Sequence, residues 1–350
     1  MDRSEILDRL IGEEKIPLWV ALLTHYQDQA GKIVLDESRM VRHAREVSES
    51  VYLQMLGGTT GDGWDLTPGQ FEAMVALADK PEFAENGAMT LIGVLRKTTA
   101  ETLDWIGRFH KVAGTSASAS LEENIERLAE KNWIGLMVPP PSGIGGNHDK
   151  ILDHYAAVAQ AARLPLGVYQ IPQVTGSTVE PLTMAELAAK HPEIILFKDS
   201  SGKDTIAKTA LDIEGVMLTR GFEGHYVESL KAMEGPYDGL FLGSANVFGP
   251  EIKAMLDALR HGKTDKAQKD SDWLSALVER LMKTAADAAP GKAFSLVNRA
   301  ADHILAYGTG WTDQASPQLV DGSLLAQDIL KGVAAILDEE GLISETGYLS

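Results

Sequence analysis

Lys198 is the residue of this sequence best placed to do covalent chemistry. It closes the apolar run Ile194-Ile195-Leu196-Phe197 and is followed at once by Asp199-Ser200-Ser201-Gly202. Consecutive apolar residues ahead of turn formers read as a short strand buried on both faces, with the lysine at its end. Desolvation there disfavours the ammonium form and lowers the pKa, which is what an amine needs to attack a carbonyl and form a Schiff base. The plainer alternatives are a side chain that snorkels to solvent or pairs with Asp199. Tyr169, inside another apolar run, offers a hydroxyl that can shuttle a proton, or simply a core aromatic. Thr59 and Thr60 stand in Gly57-Gly58-Thr59-Thr60-Gly61-Asp62-Gly63. Hydroxyls and backbone N–H groups in such a loop can hold a carboxylate or merely shape a turn.

These groups need a scaffold that brings distant strand ends together. Apolar runs recur at Ile16–Leu23, Val51–Leu56, Thr90–Leu95, Trp133–Val138, Pro165–Ile171, Ile194–Lys198, Val216–Thr219 and Gly239–Gly243. Most of the intervening stretches carry an amphipathic helix with a capping signature, as in Thr67-Pro68-Gly69-Gln70, Thr98-Thr99-Ala100-Glu101 and Ser120-Leu121-Glu122-Glu123. Eight such units predict an α/β fold of the (β/α)8 TIM-barrel type, in which reacting groups sit at the carboxyl ends of the strands. A doubly wound sheet would want a glycine fingerprint after its first strand, and Thr24-His25-Tyr26-Gln27-Asp28 is not one. Beyond about residue 262 strand signals give way to helical periodicity. The expected division is a barrel over 1–261 and a C-terminal helical extension over 262–350.

Composition narrows the partners. With 350 residues, 44% of them hydrophobic, the chain has ample core, and its formal net charge of -18 argues against nucleic acid. There is no cysteine, which excludes disulfides, thiolate metal ligands and a cysteine nucleophile. No run of 18 apolar residues and no secretory pattern is present, so the expectation is a cytoplasmic protein that contacts no membrane. None of the 9 histidines forms a His-Glu-x-x-His pair, and no metal is expected. His25 and His225 fall at strand ends, where each could touch the distal part of a substrate or serve as a structural histidine. Gly143-Ile144-Gly145-Gly146-Asn147 reads as a substrate-covering or subunit-contact loop, and Glu223 and Asp238 as parts of solvated faces.

Gly58-Thr59-Thr60-Gly61, Tyr169-Gln170-Ile171-Pro172-Gln173-Val174-Thr175-Gly176, Lys198-Asp199-Ser200-Ser201-Gly202 and Ser244-Ala245-Asn246 resemble, in order and spacing, the signature stretches of the dihydrodipicolinate synthase and N-acetylneuraminate lyase family. The similarity spans roughly residues 14 to 260. It implies a pyruvate-linked class I aldolase or lyase, a homo-oligomer that is typically a tetramer, working through a covalent lysine adduct without a separate cofactor. It also implies Lys198 as the Schiff-base lysine, Tyr169 as the acid/base group, and Thr59 with Thr60 as binders of the keto-acid carboxylate. Asp62, Ser200, Gly224 and Ser244 are further substrate-binding candidates, and Trp64 and Asp62, beside the threonine loop, are placed to select the second substrate.

Two departures bear on that substrate. Dihydrodipicolinate synthases grip a second carboxylate with an arginine where this chain has Val174, and they carry a relay tyrosine where it has Pro139-Pro140-Pro141. An aliphatic residue at 174 is more like the sialic acid lyases and the 2-keto-3-deoxy sugar-acid aldolases. The expected activity is therefore reversible carbon–carbon cleavage of a 2-keto-3-deoxy sugar acid to pyruvate and an aldehyde. The alternatives are dehydration of a deoxy keto sugar acid by the same lysine and tyrosine, or a non-catalytic keto-acid-binding barrel.

Overall fold

A computed structural model describes residues 1–12, 16–213, 215–288 and 291–350. Eight strands, β1 (Leu18–Ala21), β2 (Leu53–Leu56), β3 (Met89–Gly93), β4 (Trp133–Val138), β5 (Leu166–Gln170), β6 (Ile194–Asp199), β7 (Met217–Arg220) and β8 (Gly239–Leu242), close into a barrel in sequence order, β8 pairing with β1. All of the barrel pairings are parallel. The expected (β/α)8 fold is therefore the one observed, with each run of apolar residues explained by burial on both faces.

The two-residue period of a strand sorts each run into layers. In β6, Leu196 belongs to the cluster inside the barrel and Phe197 to the layer between strands and helices, so Lys198 turns inward again. The inner cluster also holds Trp19, Met55, Met137, Tyr169 and Phe241. Its amino end is plugged by the helix Arg3–Leu10, which buries Ile6 and Leu10 and is tied down where Arg3 Nε donates to the carbonyl of Ile194 at 2.6 Å.

The capping signatures at Thr67, Thr98 and Ser120 all form reciprocal capping boxes. An antiparallel hairpin, Tyr26–Gln29 with Lys32–Leu35, follows β1 and has no counterpart among the strands expected from sequence. Its first strand, Tyr-Gln-Asp-Gln, carries almost no apolar signal. Helices Thr264–Lys283, Lys292–Tyr307 and Gln327–Glu339 follow the barrel. No helix among the described residues is long and apolar enough to cross a membrane.

Candidate active site

A cavity of about 710 Å³ opens at the carboxyl ends of the strands, and Thr59, Thr60, Tyr169, Lys198, Ser200 and Gly224 all line it. Parallel register sets Tyr169 of β5 directly beside Lys198 of β6. The Lys198 Nζ stands 4.6 Å from the centroid of the Tyr169 ring and 4.1 Å from that of Phe241. Among the described residues it makes no hydrogen bond or ion pair. Asp199, one residue on, faces the other way and accepts from Ser201 N–H at 2.8 Å and from the Tyr237 hydroxyl at 3.1 Å, so the Lys198–Asp199 pair does not form. Burial brings the Lys198 pKa down to about 7, with the Glu223 carboxylate pulling the other way.

Close packing keeps the amine in place. A Cβ on Gly221 would lie 2.8 Å from the Lys198 Cε and 2.3 Å from the Ser200 Oγ, so only glycine fits beside the lysine stem. A Cβ on Gly243 would lie 2.7 Å from the Thr60 Oγ1 and closer still to the Phe294 ring. The Tyr169 hydroxyl and the Thr59 Oγ1 are 3.2 Å apart, and Thr59 also accepts from the Trp64 indole N–H at 3.1 Å. Trp64 therefore braces Thr59. Burial raises the Tyr169 phenol above its ordinary pKa, and the bonds to Thr59 and Ser200 oppose this.

Several candidates lie elsewhere than their sequence positions suggest. Asp62 is not at the cavity wall: its carboxylate takes Arg299 Nη2 at 2.6 Å and Ser295 Oγ at 3.1 Å. A buried carboxylate needs a cation, and here that cation arrives from the helix Lys292–Tyr307. Ser244 also turns from the cavity, and its N–H and Oγ donate to Glu223 at 3.1 and 2.7 Å. His25 is enclosed beside His43 and Asp302 and does not line the cavity, while His225 sits at the cavity rim with its side chain largely exposed. Gly143–Asn147 is pinned to the segment after β5, Gly143 N–H bonding the carbonyl of Thr175 at 2.8 Å, and does not line the cavity.

Glu223 overturns the solvated-face reading. It lines the cavity within the field of Lys198, and its Oε2 accepts from Ser244 Oγ and from the Tyr226 hydroxyl at 2.8 Å. Surrounding protein lifts its carboxyl above the ordinary range against these bonds and the Lys198 charge. Its neighbour Gly224, a substrate-binding candidate, lines the same cavity, as do Gly221 and Phe222. The second surprise is the wall supplied from beyond the barrel, where Ser275, Val278, Met282 and Phe294 face the same cavity. Val174 faces it too, and Lys198 is the one lysine or arginine among the described lining residues.

One trio among the described residues, His25, His43 and Asp302, has potential metal-ligand atoms within 4.8 Å of one another. Asp302 is already held by Arg39 at 2.6 Å and by the Tyr348 hydroxyl at 2.6 Å, the set expected of a structural polar cluster.

Residues 20–294 match the model of the dihydrodipicolinate synthetase family. The 4-hydroxy-tetrahydrodipicolinate synthase of Ligilactobacillus salivarius is 26% identical over 61% of this chain and 66% of its own length. That of Pediococcus pentosaceus is 24% identical over 77% of this chain and 81% of its own. Among solved structures, dihydrodipicolinate synthase from Cyanidioschyzon merolae with lysine bound superposes with a TM-score of 0.71 at 20% identity, covering 94% of this chain and 99% of that one. YagE, a prophage protein from E. coli K12 in complex with pyruvate, gives 0.70 at 17% identity, covering 93% and 99%. With the family model matched across the barrel and into the C-terminal helices, the chain belongs to the dihydrodipicolinate synthetase family, a family of lyases.

Proposed function

We propose that Lys198 forms a Schiff base with the C2 carbonyl of a 2-keto acid and that the enzyme makes or breaks a carbon–carbon bond with pyruvate as one partner. The observation that supports this most is a buried lysine with no ionic partner among the described residues and a pKa of about 7, so that much of it is the free amine near neutral pH. The iminium then acts as electron sink, and no separate cofactor is called for. Tyr169 moves the proton of the hydroxyl whose carbon–carbon bond breaks, and Thr59 with Thr60 holds the keto-acid carboxylate. Ser200 and Gly224 complete the binding wall. In this reading residues 1–261 carry the reacting groups, 262–350 shape the distal wall, and the protein works as a homo-oligomer.

The second substrate is an uncharged aldehyde, such as a short sugar aldehyde. Val174 stands at the expected position of a carboxylate-binding arginine, and Glu223, Asp272 and Glu279 add negative charge to the wall. The test is borohydride reduction in the presence of pyruvate, followed by peptide mapping. The expected result is one adduct, on Lys198. An adduct on another lysine, or none, overturns the mechanism, and adduct without turnover across a panel of aldehydes marks a keto-acid binder.

A further inference from the structure

The hydrogen bonds on either side of Tyr169 run in one direction. At one end stands the Trp64 indole N–H, a group that can only donate, 3.1 Å from the Thr59 Oγ1. Thr59 Oγ1 lies 3.2 Å from the Tyr169 hydroxyl and has no further partner among the described residues. A threonine hydroxyl carries one hydrogen, and with Trp64 donating to Thr59 that hydrogen is satisfied by the Tyr169 oxygen. At the other end Ser200 Oγ donates to the Gly221 carbonyl at 3.2 Å, and a carbonyl can only accept. Ser200, bonded to Tyr169 on the cavity wall, is then left to accept. A pure donor at one end and a pure acceptor at the other thus make Tyr169 take a hydrogen from Thr59 and present its own on the cavity side.

The donor that sets this direction is itself held. Arg96, just past β3, donates from Nη1 to the Trp64 carbonyl at 3.3 Å and from Nη2 to the Gly63 carbonyl. Its guanidinium carbon lies 3.3 Å from the centroid of the Trp105 ring, on the helix Thr99–Ala113. From the other side the turn is packed on the end of β2, since a Cβ on Gly63 would lie 1.8 Å from the Gly57 carbonyl oxygen.

We propose that Trp64 is a positioning residue for the reaction: its indole N–H orients the Thr59 hydroxyl toward Tyr169, so that Tyr169 faces the reacting atoms as a proton donor. This rests on the reading of Lys198 and Tyr169 given above. In the condensing direction the enamine carbon of the pyruvate adduct bonds the aldehyde carbon, and the aldehyde oxygen takes the Tyr169 proton. Enamine, aldehyde and phenol become iminium, alcohol and phenolate. The phenolate keeps the Thr59 hydrogen bond, now charge-assisted, and Thr59 keeps that of Trp64. An indole N–H holds its proton, so none passes outward through Thr59, and Tyr169 recovers its own from the cavity. The Thr59 bond opposes the rise that burial imposes on the Tyr169 phenol, as a donor to the phenolate does. With its hydroxyl so engaged, Thr59 has its backbone N–H left for the keto-acid carboxylate.

The experiment places Trp64→Phe, which keeps a ring and removes the donor, in three backgrounds: the parent, Thr59→Val and Thr59→Ser. Two quantities are read, the single-turnover rate with pyruvate and the aldehyde that the parent uses fastest, and the yield of borohydride-trapped pyruvate on Lys198. In the parent, Trp64→Phe should slow turnover roughly tenfold and leave the trapping yield unchanged, which shows that the barrel and its lysine are intact. In Thr59→Val, where the bond is already gone, it should cost nothing further, and in Thr59→Ser, which keeps the hydroxyl, the cost should return. Equal costs in Thr59→Val and the parent, a Trp64→Phe rate equal to the parent's, or a trapping yield that falls with the rate overturns the proposal and leaves the Schiff-base reading standing. A parent that traps no pyruvate, or traps it and turns over no aldehyde, overturns that reading and this inference with it.

Discussion

Among the buried cations at the mouth of this barrel, Arg299 and Lys198 have surroundings that differ in kind. Arg299 is closed off, with one side of its guanidinium on Asp62 at 2.6 Å and the other on the carbonyl of Thr24 at 2.5 Å. Lys198, buried to a similar degree, has aromatic faces around its amine and no bonded carboxylate. A paired charge stays a charge and becomes a brace, here tying the helix Lys292–Tyr307 to the loop that presents Thr59 and Thr60. An unpaired one gives up its proton more easily and becomes a nucleophile. The same burial thus yields a structural group in one place and a reactive group in the other, and what decides is whether a carboxylate lies within bonding reach.

The comparison breaks most visibly in the stabilities of two substitutions. Removing the arginine leaves the Asp62 carboxylate buried without its cation, so Arg299→Met should cost about 3–5 kcal/mol. Lys198→Met should do the opposite while abolishing turnover. Because the folded pKa of about 7 lies below the ordinary lysine value of 10.5, the protonated amine costs stability fully below pH 7. That cost fades as pH rises from 7 toward 10.5. Denaturant unfolding at pH 6 and pH 10.5 reads both signs: Lys198→Met should gain on the parent at pH 6 and lose most of that gain at pH 10.5. A loss at pH 6 would mean that the lysine has an ionic partner after all.

This contrast also marks how far the sequence could be read. The strands were legible because a parallel barrel buries both faces and leaves continuous apolar runs, and Lys198 and Tyr169 were legible because each interrupts or ends such a run. The partners were not. Asp62 meets Arg299 across 237 positions of chain. Glu223 owes its place to Ser244 and Tyr226, and nothing in Gly221-Phe222-Glu223-Gly224 tells a cavity carboxyl from a solvated one. The C-terminal helices showed their amphipathic period, but not that Met282 and Phe294 would face the cavity. Local pattern specifies burial, whereas pairing is a tertiary event, and the difference between Lys198 and Arg299 is a difference of pairing.

A smaller effect sharpens the reactive side. If Tyr169 carries the proton of bond cleavage while Lys198 alone makes the adduct, Tyr169→Phe should lower kcat by roughly 10²–10⁴-fold. The amount of pyruvate adduct trapped should hardly change, since the ring that packs against the amine remains. Steady-state rates set beside trapping yields give the split. A mutant within a few-fold of the parent kcat would move the proton to another acceptor, the substrate carboxylate being nearest in chemistry.

The last and smallest effect concerns the second substrate. Aspartate semialdehyde brings a carboxylate that would face Val174 in a cavity where Lys198 is the only lysine or arginine among the described lining residues and is committed to the keto acid. The missing charge-assisted bond is worth on the order of 1.5–3 kcal/mol, which at about 1.4 kcal/mol per tenfold lowers productive binding at least an order of magnitude. Glu223, Asp272 and Glu279 around the same space add repulsion. Competition between aspartate semialdehyde and an uncharged aldehyde of similar length should therefore favour the uncharged one in kcat/KM by about tenfold or more. Val174→Arg should narrow or reverse that ratio, because a guanidinium supplies the fork that a carboxylate takes in two bonds. If the parent enzyme prefers the semialdehyde, a cation from a neighbouring subunit reaches the cavity, and the unpaired state of this wall is a property of the single chain rather than of the working enzyme.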